Sequence, residues 1–325
     1  MKFLELIDAE RWQKIQDSLA VFLKVPMRTI GEDGAGLVNP SQHPALCTDV
    51  IAAAPAAAQQ CLHWYPKVIS HIRSQAATDY YQGVCPLGLS NIALPVVFPR
   101  LAPVFLIVGP VVIEHSHSHA NLSQHIQDYR IDEERFFACY NTLPLLDTAR
   151  LKSIVELLQL VIGFAGTVSE FAGDEEHPAA VLDKKSVGLL LRKFLNLAMK
   201  LCGAEIGSVM IFEQQNQALS IQDAEGLSKE IMDTTKIKPT DGIAGLSIQR
   251  RESLFINDQL HDREVRLRMH KPKIKSAFVI PVFYKSDVLG VVSIATAAFP
   301  NKFCDTLMEL LNELVAMALE KVNLQ

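Results

Sequence analysis

Charge of one sign, closely paired cysteines and unbroken apolar stretches are all scarce in this 325-residue sequence. Lys and Arg number 31 against 36 Asp and Glu, for a formal charge of −5. The deficit is shared: residues 1–170 hold 12 basic and 16 acidic side chains. Neither half offers the basic surface that a phosphate backbone needs, so no direct nucleic-acid partner is expected. The six cysteines (47, 61, 85, 139, 202 and 304) include no CxxC pair and are too few for a disulfide scaffold. A reduced, cytoplasmic protein is the expectation. The most apolar window, residues 93–113, is interrupted by Pro95, Pro99, Arg100, Pro103 and Pro110. A membrane-spanning helix would leave broken backbone groups in lipid there, so two strands and a turn are expected, and no membrane partner. Met1 runs directly into KFLELIDAERWQKIQ, with no h-region and no small-residue cleavage site, so no secretory signal is expected. No Ser-His-Asp, paired-carboxylate or HExxH arrangement stands out, which disfavours an enzyme. Helix-turn-helix, kinase, GGDEF-type and receiver patterns are missing as well. An output is therefore expected from a separate kinase or transcriptional regulator.

What is present is enough apolar material, 49% of residues, for two cores of about 150 residues each. Trp12, Ile15, Leu19 and Phe22 recur at helical spacing until Pro26. A short hairpin is expected in MRTIGEDGAGLV, where Asp33-Gly34 signals the turn. Residues 41–76 read as short helical pieces broken at Pro44, Pro55 and Pro66. Strands are expected at 91–98 and 103–113. From Leu151 a long amphipathic helix carries Ile154, Leu158, Val161, Ala165 and Val168, and the polar stretch GDEEHP (173–178) reads as a linker. A helix over 182–201 precedes strands at 207–212 and 218–223, a short helix near Asp241, and strands at 276–284 and 288–295. A closing helix carries Phe303, Leu307, Leu310, Leu314, Met317 and Val322. Strands with inserted helices imply an α+β class, each domain an antiparallel sheet flanked by helices.

Two constellations carry possible chemistry. Cys47, Cys61 and Cys85, with His63 close to Cys61, are the donor types that zinc or an iron–sulfur cluster takes. The alternative is that these thiols are small hydrophobes in a core or pocket wall. His115, His117 and His119 alternate in EHSHSH and would share one side of an extended strand; a polar turn is the plainer reading.

GIAGLSIQRRESLFINDQ (242–259), IKSAFVIPVFYKSDVLGVVSIA (274–295) and the closing helix FCDTLMELLNELVAMALEKV together resemble a GAF domain, a small-molecule sensing and dimerising module. The resemblance implies a ligand between the central sheet and the loops over 257–275. Asp258, Arg263, Arg266 and Lys275 would then stand at the rim, where guanidinium groups suit a carboxylate or phosphate. A solvated loop is the alternative. Free methionine sulfoxide reductase, a relative of that fold, carries cysteines in the loops over its pocket. Here Cys202 closes a helix and Cys304 opens one, which departs from that pattern.

LELIDAERWQKIQDSLAVFLKV, the cysteines in LCTDVI and QQCLHW, YYQGVCPLGLSNIALPVVF and the strand LIVGPVVI resemble a PocR-type sensory domain, a PAS-like module thought to sense small organic molecules. The two resemblances imply a PocR-like domain over 1–172, with a connecting helix from about 147, and a GAF domain over 180–325. Cys61, Trp64, Tyr81 and Cys85 are expected to line the N-terminal pocket, because apolar walls with a few polar tips suit a small organic ligand. The whole reads as a non-enzymatic sensor for a small molecule. A metal- or redox-responsive sensor built on the three cysteines is the alternative, and a GAF-like enzyme a lesser one. The apolar stripes of the helices at 151–171, 182–201 and 303–322 imply a homodimer, since a soluble monomer seldom leaves such faces uncovered.

Overall fold

In the computed structural model the chain divides into two units, Met1–Ile162 and Gly163–Gln325. The structure describes Phe3 and residues 9–74, 80–97, 102–114, 119–172, 184–257, 262–268, 276–284 and 286–296. Each unit is a largely antiparallel sheet flanked by helices, the α+β architecture that the sequence pattern predicts.

In the first unit, α1 (Ala9–Leu23) buries Trp12, Ile15 and Leu19 on one stripe. The chain then enters β1 (Met27–Ile30). The expected hairpin forms only in part, because its return leg meets β1 through isolated bridges, Ile30 with Gly36 and Met27 with Ser41. Pro40 lacks an N–H in that leg and cannot extend a ladder. β1 pairs instead with β4 (Val104–Ile113), Met27 opposite Val108. β2 (Tyr81–Val84) and β3 (Ser90–Val96) complete the order β1-β4-β3-β2, and β5 (Leu145–Leu146) adds a parallel pair at the end of β4.

Residues 41–74 differ from the broken pieces that the prolines predict over 41–76. A π-helical turn, Leu46–Ile51, is followed by one 20-residue helix, α2 (Pro55–Ser74). Pro55 is its first residue, where a backbone N–H would have no helical partner anyway. Pro66 lies inside it but is exposed, so the missing hydrogen bond and the ring fall on the outer side. The inner side packs Val68, Ile69 and Ile72 onto Ile30, Ala93, Phe105 and Ile107 of the sheet. A second cluster joins Leu46, Val50, Ile51 and Ala57 to Leu87 and Leu89, to Leu122 and Ile126 of α3 (His119–Asp128), and to Phe136 of α4 (Glu133–Tyr140). His119 opens α3 rather than continuing an extended strand, and His115 and His117 lie outside the described residues. Asp147 Oδ1 accepts the Arg150 N–H at 2.7 Å where α5 (Thr148–Ala172) begins, and α5 buries Leu151, Ile154, Leu158 and Val161.

In the second unit, α6 (Lys184–Cys202) lies so close on its sheet that a Cβ on Gly207 would stand 2.5 Å from Met199 Sδ. The sheet order is β8-β7-β6-β11-β10-β9. Its strands are β6 (Ile206–Glu213), β7 (Ala218–Glu225), β8 (Lys236–Ile237), β9 (Leu254–Ile256), β10 (Ser276–Tyr284) and β11 (Asp287–Thr296). The hairpin expected at Ser286-Asp287 pairs Tyr284 with Asp287. Gly290 of β11 is required there, since a Cβ would fall 2.2 Å from the Met210 carbonyl oxygen. α7 (Lys229–Thr234), α8 (Gly242–Arg250) and α9 (Arg263–Arg268) complete the described elements. The closing helix expected over 303–322 lies outside the described residues.

Candidate ligand cavity

A cavity of about 230 Å³ opens in the first unit, where the two clusters of its core meet along α2. Ala58, Cys61, Leu62 and Tyr65 recur at helical spacing on α2 and form one wall, with Trp64 beside them. The π-helical turn contributes Cys47 and Ile51. Cys85, Leu89 and Asn91 come from the β2–β3 connection and the start of β3. That connection is tight: Cys85 N–H donates to the Leu89 carbonyl at 2.8 Å, and Gly88 adopts φ +76 to close it. Arg28 comes from β1. Strand alternation puts its neighbours on the other face: Thr29 meets α1, while Arg28 and Ile30 face α2.

The walls are mostly apolar, and the polar groups on them are few. Arg28 Nη1 donates to the Tyr65 hydroxyl oxygen at 3.1 Å, and Arg28 Nη2 lies 3.4 Å from His43 Nε2. The guanidinium carbon stands 5.4 Å from the centre of the Tyr65 ring. Burial pushes the Cys47 thiol up to about 12, with Cys85 and Cys61 adding to the rise and Arg28 opposing it. Cys85 is likewise raised to about 12 by burial, against the pull of backbone N–H groups of Leu87 and Leu89. Cys61 is raised by burial with Arg28 opposing. All three thiols keep their protons at neutral pH. Burial lowers His43, and the Arg28 charge lowers it further.

The geometry brings together Cys47, Cys61, Trp64 and Cys85 of the residues that the sequence singles out. It does not bring in Tyr81, whose ring packs on His71 at 4.8 Å and against the sheet–α2 cluster. Tyr81 alternates with its neighbours on the edge strand β2, and that register turns it to the α2 end away from the cavity wall. The proposed metal set does not assemble either. His63 is exposed on α2, two residues past Cys61 and so on another side of the helix. Among the described residues no group of three His, Cys, Asp or Glu side chains is placed to hold a metal ion. Sequence reasoning missed Arg28, His43, Tyr65 and Asn91. An Arg inside the short apolar strand MRTI was the available signal.

In the second unit, Asp258 and Lys275 lie outside the described residues. Arg263 and Arg266 stand exposed on the short helix α9. Neighbouring cations there are matched by acids. Arg250 pairs with Asp262 at 2.5 Å and Glu264 at 3.0 Å, and Arg268 pairs with Glu264 at 2.9 Å. The Arg250 guanidinium holds the Asp262 carboxyl below its ordinary value.

A family model described as the sensory domain found in PocR matches residues 5–168, half of the chain. The chain belongs to the PocR sensory-domain family. A GAF domain model matches residues 185–318, so the PocR domain is followed by a GAF domain. The cavity thus lies in the PocR domain. Among solved structures, the GAF domain of an Acinetobacter phosphoenolpyruvate-protein phosphotransferase is similar, at 20% identity over 46% of this chain and 90% of that one, with a TM-score of 0.33. Free methionine-R-sulfoxide reductase from Neisseria meningitidis is similar at 14% identity over 51% and 91%, with a TM-score of 0.37. No curated protein matches the chain. Among the described residues no helix is long and apolar enough to cross a membrane.

Proposed function

We propose that this PocR–GAF chain is a non-enzymatic cytoplasmic sensor whose PocR domain binds a small organic molecule in the cavity on α2. It would pass that state to a separate kinase or transcriptional regulator. The cavity carries this reading: apolar walls with a few convergent polar groups are what small-molecule sites present. A thermal-shift screen of metabolites tests it, because a ligand at 100 times its Kd raises native stability by about 2.7 kcal/mol. Ala58→Phe, which fills the cavity from α2, should abolish any shift. A shift that survives this substitution would put the binding elsewhere.

Convergence of three thiols on one cavity favours a second reading, a thiol-based redox or metal sensor. Two observations count against it. The thiols are held protonated, whereas the thiolate is the reactive and ligating form, and the donor set does not fit a metal. For the GAF domain, Arg263 and Arg266 remain proposed as rim residues with Asp258 and Lys275, supported by their exposure beside acid-matched neighbours. A homodimer is proposed through the amphipathic helices, where Leu160 of α5 and Leu189 of α6 stay 36% and 50% exposed beside buried neighbours. Light scattering that returns the mass of one chain, 36.0 kDa, would exclude it.

A further inference from the structure

The cavity of the PocR domain holds a cation and no anion. Arg28 makes its contacts with a phenol and an imidazole, and no ion pair among the described residues includes it. Arg192, Arg250 and Arg268, in contrast, each sit on a carboxylate. No Asp or Glu lines the cavity among the described residues. The other titratable groups there do not supply a negative charge, since burial keeps the thiols and the Tyr65 phenol protonated and the imidazole uncharged. The site is therefore built one negative charge short.

We propose that the cavity takes a small organic monoanion, a carboxylate with an apolar body, whose head pairs with Arg28 and with the hydroxyl of Tyr65. The guanidinium is a planar fork that matches a carboxylate with two N–H groups. Tyr65 accepts from Arg28, so its own O–H is left to donate to the same head group. The Tyr65 and His43 contacts hold the fork in place before the ligand arrives. The body would lie against Cys61, Trp64 and Leu89. A dianion such as phosphate would leave one charge unmatched among apolar walls. The cavity, at about 230 Å³, is smaller than the roughly 300 Å³ at which sites for drug-sized molecules begin, so the body is short.

This inference rests on the reading that the cavity is the ligand site, and the test separates the two. Tryptophan fluorescence of the full chain is titrated with butyrate, hexanoate, benzoate and phenylacetate, and with the primary amide of each. Trp64 lines the cavity, whereas Trp12 is buried on the far side of β1 with its indole N–H on Thr29. At least one acid should bind about ten-fold or more tightly than its amide, equal to about 1.4 kcal/mol. Arg28→Met and Tyr65→Phe should weaken that acid and leave its amide unchanged, while Arg28→Lys retains part of the preference. The acid–amide comparison on the unaltered chain needs no variant to fold. Amides that bind as well as acids would overturn the charge assignment and leave the cavity standing as a ligand site. Silence from both series at millimolar concentration would overturn the inference and count against the site itself.

Discussion

Alkylation kinetics put the cavity thiols to a direct test. With their thiols raised to about 12, Cys47 and Cys85 are ionised at pH 8 to only ~1 part in 10⁴, against roughly a quarter for a free thiol near 8.5. The rarer thiolate is also the stronger nucleophile, and a Brønsted slope of about 0.4–0.5 returns a few tens-fold of the loss. Iodoacetamide should therefore modify both residues about 10²-fold more slowly in the native chain than in urea. Timed quenching and peptide mass spectrometry give each cysteine its own rate. The pH dependence separates protonation from simple occlusion: a thiol raised to about 12 should speed up ten-fold per pH unit through pH 10, where an ordinary thiol has levelled off. The same shift has a stability consequence. A folded-state value above the unfolded one means the contribution is complete below about pH 8.5 and is lost as pH rises toward 12. Circular dichroism must therefore show the fold intact at each pH used. Native rates within a few-fold of the unfolded rates at pH 8 would refute the reasoning, and so would slow rates that ignore pH.

Three further outcomes follow from packing and charge. Thr29→Val removes the acceptor of the Trp12 indole (2.8 Å) and the donor to Gln16 Oε1 (2.7 Å) in a fully buried site. It should lower the unfolding free energy by about 2–4 kcal/mol, and an unchanged urea midpoint would contradict this. Gly290→Ala drives a methyl group into the Met210 carbonyl and should cost about 1–3 kcal/mol or more, whereas Gly163→Ala on α5 meets nothing within 4 Å and should stabilise by about 0.5–1 kcal/mol. Paired thermal melts decide whether the two glycines separate in this way. His43, held below its ordinary value by burial and Arg28, contributes stability that is complete above pH 6.5 and is lost as pH falls through the folded value. The drop in melting temperature between pH 7 and 5 should therefore shrink in His43→Gln, and an identical drop would count against the neutral imidazole.

Much of the fold is readable because its signals are periodic. The 3,4 spacing of Leu151, Ile154, Leu158 and Val161 predicts α5, and the apolar runs flanking Ser286-Asp287 predict the β10–β11 hairpin. Proline misleads between residues 41 and 76, because a breaker is also tolerated at the first position of a helix or on its outer side, and spacing cannot tell these apart. Part of the cavity wall is legible for a similar reason: Cys61 and Trp64 share a helix, and Cys85 stands at a tight turn. Arg28, His43 and Tyr65 are not. Their meeting depends on how β1 pairs with β4 and how α2 lies over the sheet, both of which are long-range events. Tyr81 shows the converse, since an aromatic beside a cavity cysteine in sequence can sit elsewhere once strand register is set.

The two sides of the cavity are held by different kinds of backbone. On one side Arg28 rides a strand locked twice, by its ladder to β4 and by the buried Trp12–Thr29–Gln16–Ser41 chain of hydrogen bonds on the opposite face. On the other side Cys47 belongs to a wide-wound turn whose Ala52 N–H reaches back five residues to the Cys47 carbonyl at 3.2 Å. Such turns are frequent at functional sites, and this one is held by its own backbone bonds rather than by a strand ladder. Leu46, Val50 and Ile51 of that turn share a core with Phe136 of α4 and with Leu143, a few residues ahead of β5 and α5. The turn that carries Cys47 thus shares its core with the segment running up to β5 and α5, and the laddered strand carries the charge that the proposed ligand would meet.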